Sequence, residues 1–184
     1  MGKSMWMATV IASAVVVSAC SQPAPEPPPV KSPFDPVATV QDIMLGIVDP
    51  NADFIWNSVA TVVTKTGTEE RMPKTDEEWT KVRHAAISLV EATNLLRMDG
   101  RRIAKPGVKS ENPGIELEPE QIEKIFEADR ESWMKLSQGL HDATMIAVRA
   151  AEAKDGEALL NAGEGIDAAC ENCHKKYWYP EPPK

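Results

Sequence analysis

The stretch Ile166-Asp167-Ala168-Ala169-Cys170-Glu171-Asn172-Cys173-His174-Lys175-Lys176-Tyr177 decides how the rest of the chain is read. It continues an apolar stripe running through Leu160, Gly163, Ile166, Cys170, Cys173/His174 and Tyr177. Spacings of three and four put such a stripe on one face of a helix, expected over about Glu157 to Tyr177. Cys170, Cys173 and His174 stand at i, i+3 and i+4, so both thiols and the imidazole share one side of it. Cys-x-x-Cys-His is the attachment signature of a c-type haem. Two thiols at that spacing can bond the two vinyl-derived carbons of one porphyrin, and the next residue offers a ring nitrogen to the iron as proximal ligand. A redox dithiol pair calls for a βαβ setting and no following histidine. A structural zinc site needs a fourth ligand. A plain disulfide leaves the histidine without a role.

Three further segments carry helical periodicity. The first spans about Pro36 to Lys65, with a stripe of Val37, Val40, Met44, Ile47/Val48, Ile55, Val59 and Val62. Asp49-Pro50 interrupts it, predicting a kink or a restart with Asp49 as N-cap and Pro50 at the first helical position. The second spans about Asp76 to Met98, with Thr75 and Glu78 forming a capping-box pattern. Its stripe is Trp79, Val82, Ala86, Leu89/Val90, Thr93 and Leu96. A loop of about Asp99 to Glu118 follows. The third helix begins with Pro119 and reaches about Ala153 on a stripe of Ile122, Ile125/Phe126, Asp129, Trp133, Leu136, Leu140, Thr144 and Ala147/Val148. Asp155-Gly156 separates it from the fourth. No strand-like alternation persists beyond a few residues. The expected fold is all-α, an antiparallel four-helix bundle with C-terminal covalent haem attachment.

The chain has 184 residues, 20 Lys+Arg against 28 Asp+Glu and a formal charge of -8. That length suits one domain with a real core. The acidic balance argues against a nucleic-acid partner, which needs a basic face for phosphates, and leaves docking to a basic protein open. Domains are expected at 1–19, a lipoprotein signal peptide that is removed; 20–35, a lipidated cysteine and Pro-rich tether; 36–178, the bundle; and 179–184, a Pro-rich tail. Lys3, an apolar run from Met5 to Val17, and Ser18-Ala19-Cys20 describe an export signal. The run is short of the roughly 20 residues a spanning helix needs. Val17-Ser18-Ala19-Cys20 resembles the bacterial lipoprotein signal, with Val17 in place of the usual leucine and Cys20 carrying lipid. An ordinary secretory peptide with an incidental Cys20 is the plainer reading. Several acyl chains on one residue anchor a protein stably. Ser21-Gln22-Pro23 and the prolines beyond favour an extended polyproline spacer.

A four-helix bundle with one Cys-x-x-Cys-His near its C-terminus resembles the class II c-type cytochromes, the cytochrome c-prime group and its low-spin, Met-ligated relatives. The resemblance covers about Pro36 to Tyr177. An aromatic three residues after the haem histidine matches that family, and Tyr177 fills the place. Trp178 stands where the family usually has an arginine. The resemblance implies a sixth iron ligand from a first-helix methionine, Met44 here, with Val40 where the family often carries an arginine. It equally implies that five-coordinate members leave this face open to nitric oxide or carbon monoxide. From periodicity, Met44 faces the interior, where methionine is also a common core filler. Met134 and Met145 are lesser candidates. His84 and His141 fall off the apolar stripes and are expected to face solvent. Trp56, Trp79 and Trp133 are expected in the core, one of them against the porphyrin. Arg101, Arg102 and Lys105 are expected in a solvated loop.

The expected function is a periplasmic mono-haem cytochrome carrying single electrons between redox partner proteins, held to the membrane by its lipid, with one covalent haem c (iron) per chain. No nucleophile–base pair or phosphate loop points to an enzyme. The alternative is a gas-binding haem protein. A third reading is a lipoprotein that never receives haem. Homodimers are common in the family, though no interface is readable. Ser21 tilts the anchor toward the outer membrane.

Overall fold

In the computed structural model, which describes Gly2 and residues 34–180, the chain is mostly helical with one small two-stranded sheet. The export signal, Cys20, nearly all of the tether and residues 181–184 lie outside the described residues. Among the described residues, no helix is long and apolar enough to cross a membrane.

The first helical segment starts at α1 (Val40–Ile43), capped by the Thr39 side chain, passes through a π-turn (Met44–Val48) and continues as α2 (Asp49–Ser58). The π-turn has a reason in the sequence. Val40 and Ala52 are both buried, as are Ile43 and Ile55. Each pair lies twelve positions apart, which in a continuous α-helix leaves it about 120° out of phase. One extra residue taken up by the π-turn removes about 100° of that drift and aligns the two halves. Pro50 lacks the N–H that would close an ordinary turn and its ring clashes with the carbonyl four residues back, so the widened turn falls where the proline needs it. The segment is thus neither restarted nor capped by Asp49: the residue preceding α2 is Val48.

The expected helix to Lys65 is cut short at Ser58. Asn57 Nδ2 and Ser58 Oγ bond back to the carbonyls of Asp53 (2.8 Å) and Phe54 (2.6 Å), side-chain bonds that compete with the backbone ladder. The β-branched run Thr61-Val62-Val63-Thr64 then forms β1 (Ala60–Thr64), antiparallel to β2 (Gly67–Arg71) with Thr64 opposite Gly67. Stiff branched side chains favour the extended backbone. The all-α expectation is corrected by this hairpin.

α3 (Asp76–Arg97) carries both halves of the expected Thr75/Glu78 capping box. The expected third helix is two: α4 (Pro119–Ala128) and α5 (Arg130–Ala153), divided at Asp129. Asp129 is therefore a break and a cap, bonding Ser132 N at 3.1 Å, and no member of an apolar stripe. Lys154, in a left-handed conformation, and Asp155, capping Ala158 N, turn the chain into α6 (Gly156–Tyr177).

α5 packs between α3 and α6, and α2 lies against α3 and α6. The expected stripes of α3 and α5 are largely buried. In α6 Leu159 is buried in place of the expected Leu160, which is exposed; in the first segment Val37 is fully exposed. Both slips are one position or one turn at an element end, where the period has too few residues to define it. α2 and α6 approach at Gly163, whose carbonyl accepts the Trp56 indole N–H at 3.0 Å. A Cβ there would stand 3.1 Å from Trp56.

Deleting Gly46 removes the extra residue but forces Pro50 into an unbroken α-helix, so it should cost about 3 kcal/mol. Deleting Gly46 together with Pro50→Ala should recover most of that loss. Urea unfolding of the three proteins checks it, and equal losses in the single and combined variants would reject the register argument.

Candidate functional site

α6 brings Cys170, Cys173 and His174 to the end of the molecule where the first segment, the 98–118 loop and α5 meet. A cavity of about 200 Å³ lies there, walled by Val40, Met44 and Leu45, by Ile103 and Ala104, by Ile122 and Trp133, and by Cys173, His174 and Tyr177. A smaller one of about 30 Å³ adjoins it between Met44, Val48, Leu96, Leu136, Leu140 and Cys170. Met44, Asp49, Trp133, Cys173 and His174 line both. The Met44 thioether and the His174 imidazole therefore look into one largely apolar space. Trp133 is the expected core tryptophan that borders it. Trp79 is buried elsewhere in the core and Trp56 is spent on Gly163.

Neither cysteine is in a disulfide. Burial pushes the Cys170 thiol up to about 11 and the Cys173 thiol up to about 12, with neighbouring Asp167 and Cys170, respectively, adding to the effect. A dithiol oxidoreductase needs one thiol depressed toward neutrality, the opposite of this environment. Among the described residues no three His, Cys, Asp or Glu side chains converge to hold a bare metal ion. Burial also lowers the His174 pKa, opposed by the charges of Asp49 and Glu171. No hydrogen bond within the described residues engages the His174 ring. It rests edge-on against Trp178, ring centres 4.9 Å apart.

Tyr177 is 3 % exposed and stacks edge-to-face on Trp133 at 5.1 Å, which meets Phe126 in the same way at 4.8 Å. Its hydroxyl donates to the Asp129 carbonyl at 3.3 Å, and Lys176 pairs with the Asp129 carboxylate. The break between α4 and α5 thus clamps the turn that follows His174. Trp178 continues this end: its carbonyl accepts Leu117 N–H at 2.8 Å. Tyr179, expected in the tail, bonds back to Glu171 at 2.6 Å.

The solvated-loop expectation for Arg101 is overturned. Arg101 is 6 % exposed, and its guanidinium donates to the carbonyls of Leu95 (2.8 Å) and Ala38. Ile103 and Ala104 beside it are buried, and the loop backbone accepts the N–H groups of Val40 and Gln41 at 2.9 Å. Arg102 and Lys105 remain at the surface, paired with Glu123 and Asp42. Composition alone pointed outward, because a guanidinium with five donors on a loop usually does; the carbonyls that recruit Arg101 come together only once two helix ends meet. His84 is exposed, and His141 is engaged by Gln138 and Asp142 at the surface. Met134 is 40 % exposed and Met145 packs on the core. None of these four lines the two cavities.

No family model, curated protein or solved structure matches this chain.

Two outcomes follow from this geometry. Arg101→Ala strips the charged donor from two carbonyls and should cost about 2–4 kcal/mol in chemical denaturation; a loss under about 0.5 kcal/mol would contradict the buried role. Asp129 is held down to about 2, by Lys176 first and Ser132 next, against an ordinary value of 3.8. A depressed carboxyl stabilises the fold above its unfolded pKa, and that contribution is lost as pH falls from about 4 through about 2. Asp129→Asn should therefore flatten acid unfolding in this window, and an unchanged slope would remove Asp129 from the account.

Proposed function

We propose that this chain is a mono-haem c-type cytochrome of the class II kind. In this reading the first helical segment, α3, α4–α5 and α6 are the four members of an antiparallel bundle. One haem c is attached at its C-terminal end. The observation that carries the proposal is the shared cavity of Met44 and His174, walled by the thiol of Cys173 and adjoined by that of Cys170. The donor set suits the group. Two half-buried thiols one helical turn apart serve two thioether bonds, an imidazole without a hydrogen-bond partner among the described residues serves as proximal ligand, and a thioether across an apolar space serves as sixth ligand. The bound haem would supply a one-electron ferric/ferrous couple. The residues of this chain supply the rest: Tyr177, Trp133 and the Asp129 clamp hold the His174 turn, and the apolar walls keep water from the metal.

The protein would work as a single-electron carrier between redox partners, without substrate chemistry of its own. The leader and Cys20 support a periplasmic site of action on a lipid anchor, with the Pro-rich segment as tether. Tyr177 acts here as packing for the motif turn.

The test is an absorption spectrum of the purified, exported protein, oxidised and reduced, with and without carbon monoxide. The expected result is a covalently bound haem, a low-spin reduced spectrum indifferent to the gas, and a far-red ferric band from Met–iron bonding. Met44→Ala should abolish that band. A colourless protein would overturn the proposal. A high-spin spectrum that shifts with carbon monoxide would replace electron transfer by gas binding and remove Met44 as ligand.

A further inference from the structure

The π-turn has a chemical consequence beyond register. It closes with the Asp49 N–H bonded to the Met44 carbonyl, five residues back, so Met44 and Asp49 share one wall of the segment. Asp49 lines both cavities, alongside Met44, Cys173 and His174. No hydrogen bond or ion pair holds its carboxylate among the described residues. The charges that bear on it are His174 across the cavity and Asp53 one turn on. Asp49 is an exposed residue, so water solvates its carboxylate at the edge of the cavity.

We infer that Asp49 is a charge-setting residue of the cofactor site, a fixed anion beside the metal that stabilises the ferric over the ferrous state and lowers the reduction potential. This rests on the haem reading above. The physics is Coulombic. Oxidation leaves one more positive charge on the iron and an anion nearby favours that state, an effect that water at the exposed carboxylate screens in part. A methionine ligand raises the potential. Asp49, one π-turn along from Met44, works against it.

The experiment is a potentiometric titration at pH 8 of the full-chain holoprotein and three variants. Asp49→Asn should shift the midpoint upward with the spectrum unchanged. Asp49→Glu, which keeps the charge, should stay near the parent. Asp53→Asn, which removes an equal charge one turn away from the wall, should shift it less. Asp49→Ser gives the same neutralisation if the Asn variant fails to accumulate. A midpoint unmoved or lowered in both neutral variants overturns the inference, as does an Asp53→Asn shift as large as that of Asp49→Asn, which would reduce the effect to net charge. A parent protein that carries no haem sinks the proposed function itself. An unmoved midpoint in a haem-loaded variant sinks this inference alone.

Discussion

The site hangs on the break at Asp129. An uninterrupted helix from Pro119 to Ala153 would carry residue 129 in helical conformation, with no capping role for its side chain. By leaving the helical conformation for one residue, Asp129 presents a carbonyl that accepts both the Trp133 N–H and the Tyr177 hydroxyl, and turns a carboxylate toward Lys176 while capping α5. Three separate attachments meet at one residue, and two of them reach the turn of α6 just past His174. The edge-to-face rings of Phe126, Trp133 and Tyr177 then fill the space behind this clamp. A motif residue at a helix C-terminus would otherwise sit on the part of a helix most prone to fray.

The opposite wall is held by a comparable device. The first helical segment is short and broken, and propensity alone would not keep it in place. Its N-terminal end is tied down by the 98–118 loop, whose backbone bonds Val40 and Gln41 and whose Arg101 ties Ala38 to the end of α3. Its C-terminal end is tied by Trp56 to Gly163. With both ends anchored, the phase mismatch between them must be absorbed in the middle, and the π-turn absorbs it beside Met44. Position and chemistry meet there: the turn that corrects the register is also the wall that Met44 and Asp49 share.

Much of the helical content was legible in the sequence. α3 and its capping box, the loop to Pro119 and the end of α5 at Asp155-Gly156 all follow from periodicity and caps. The hairpin was missed because Thr61 to Thr64 continue a helical stripe through Val59 and Val62, and β-branched residues decide between the two periods only weakly over so short a span. Asp129 was read into an apolar stripe because its spacing fits, although its side chain contradicted that place. Val37 and Leu160 fell to the same weakness at element ends. Arg101 left no local signal at all.

What the sequence by itself determined is the chemistry that one helix carries: two thiols and an imidazole at i, i+3 and i+4 lie on one side of any helix, because 3.6 residues per turn is a property of the backbone and not of its surroundings. What only the tertiary structure decided is what faces them. Met44, Asp49 and Trp133 reach Cys173 and His174 from distant parts of the chain. Their meeting depends on a π-turn, a helix break and a buried arginine, each of which settles a mismatch that arises only when the elements pack.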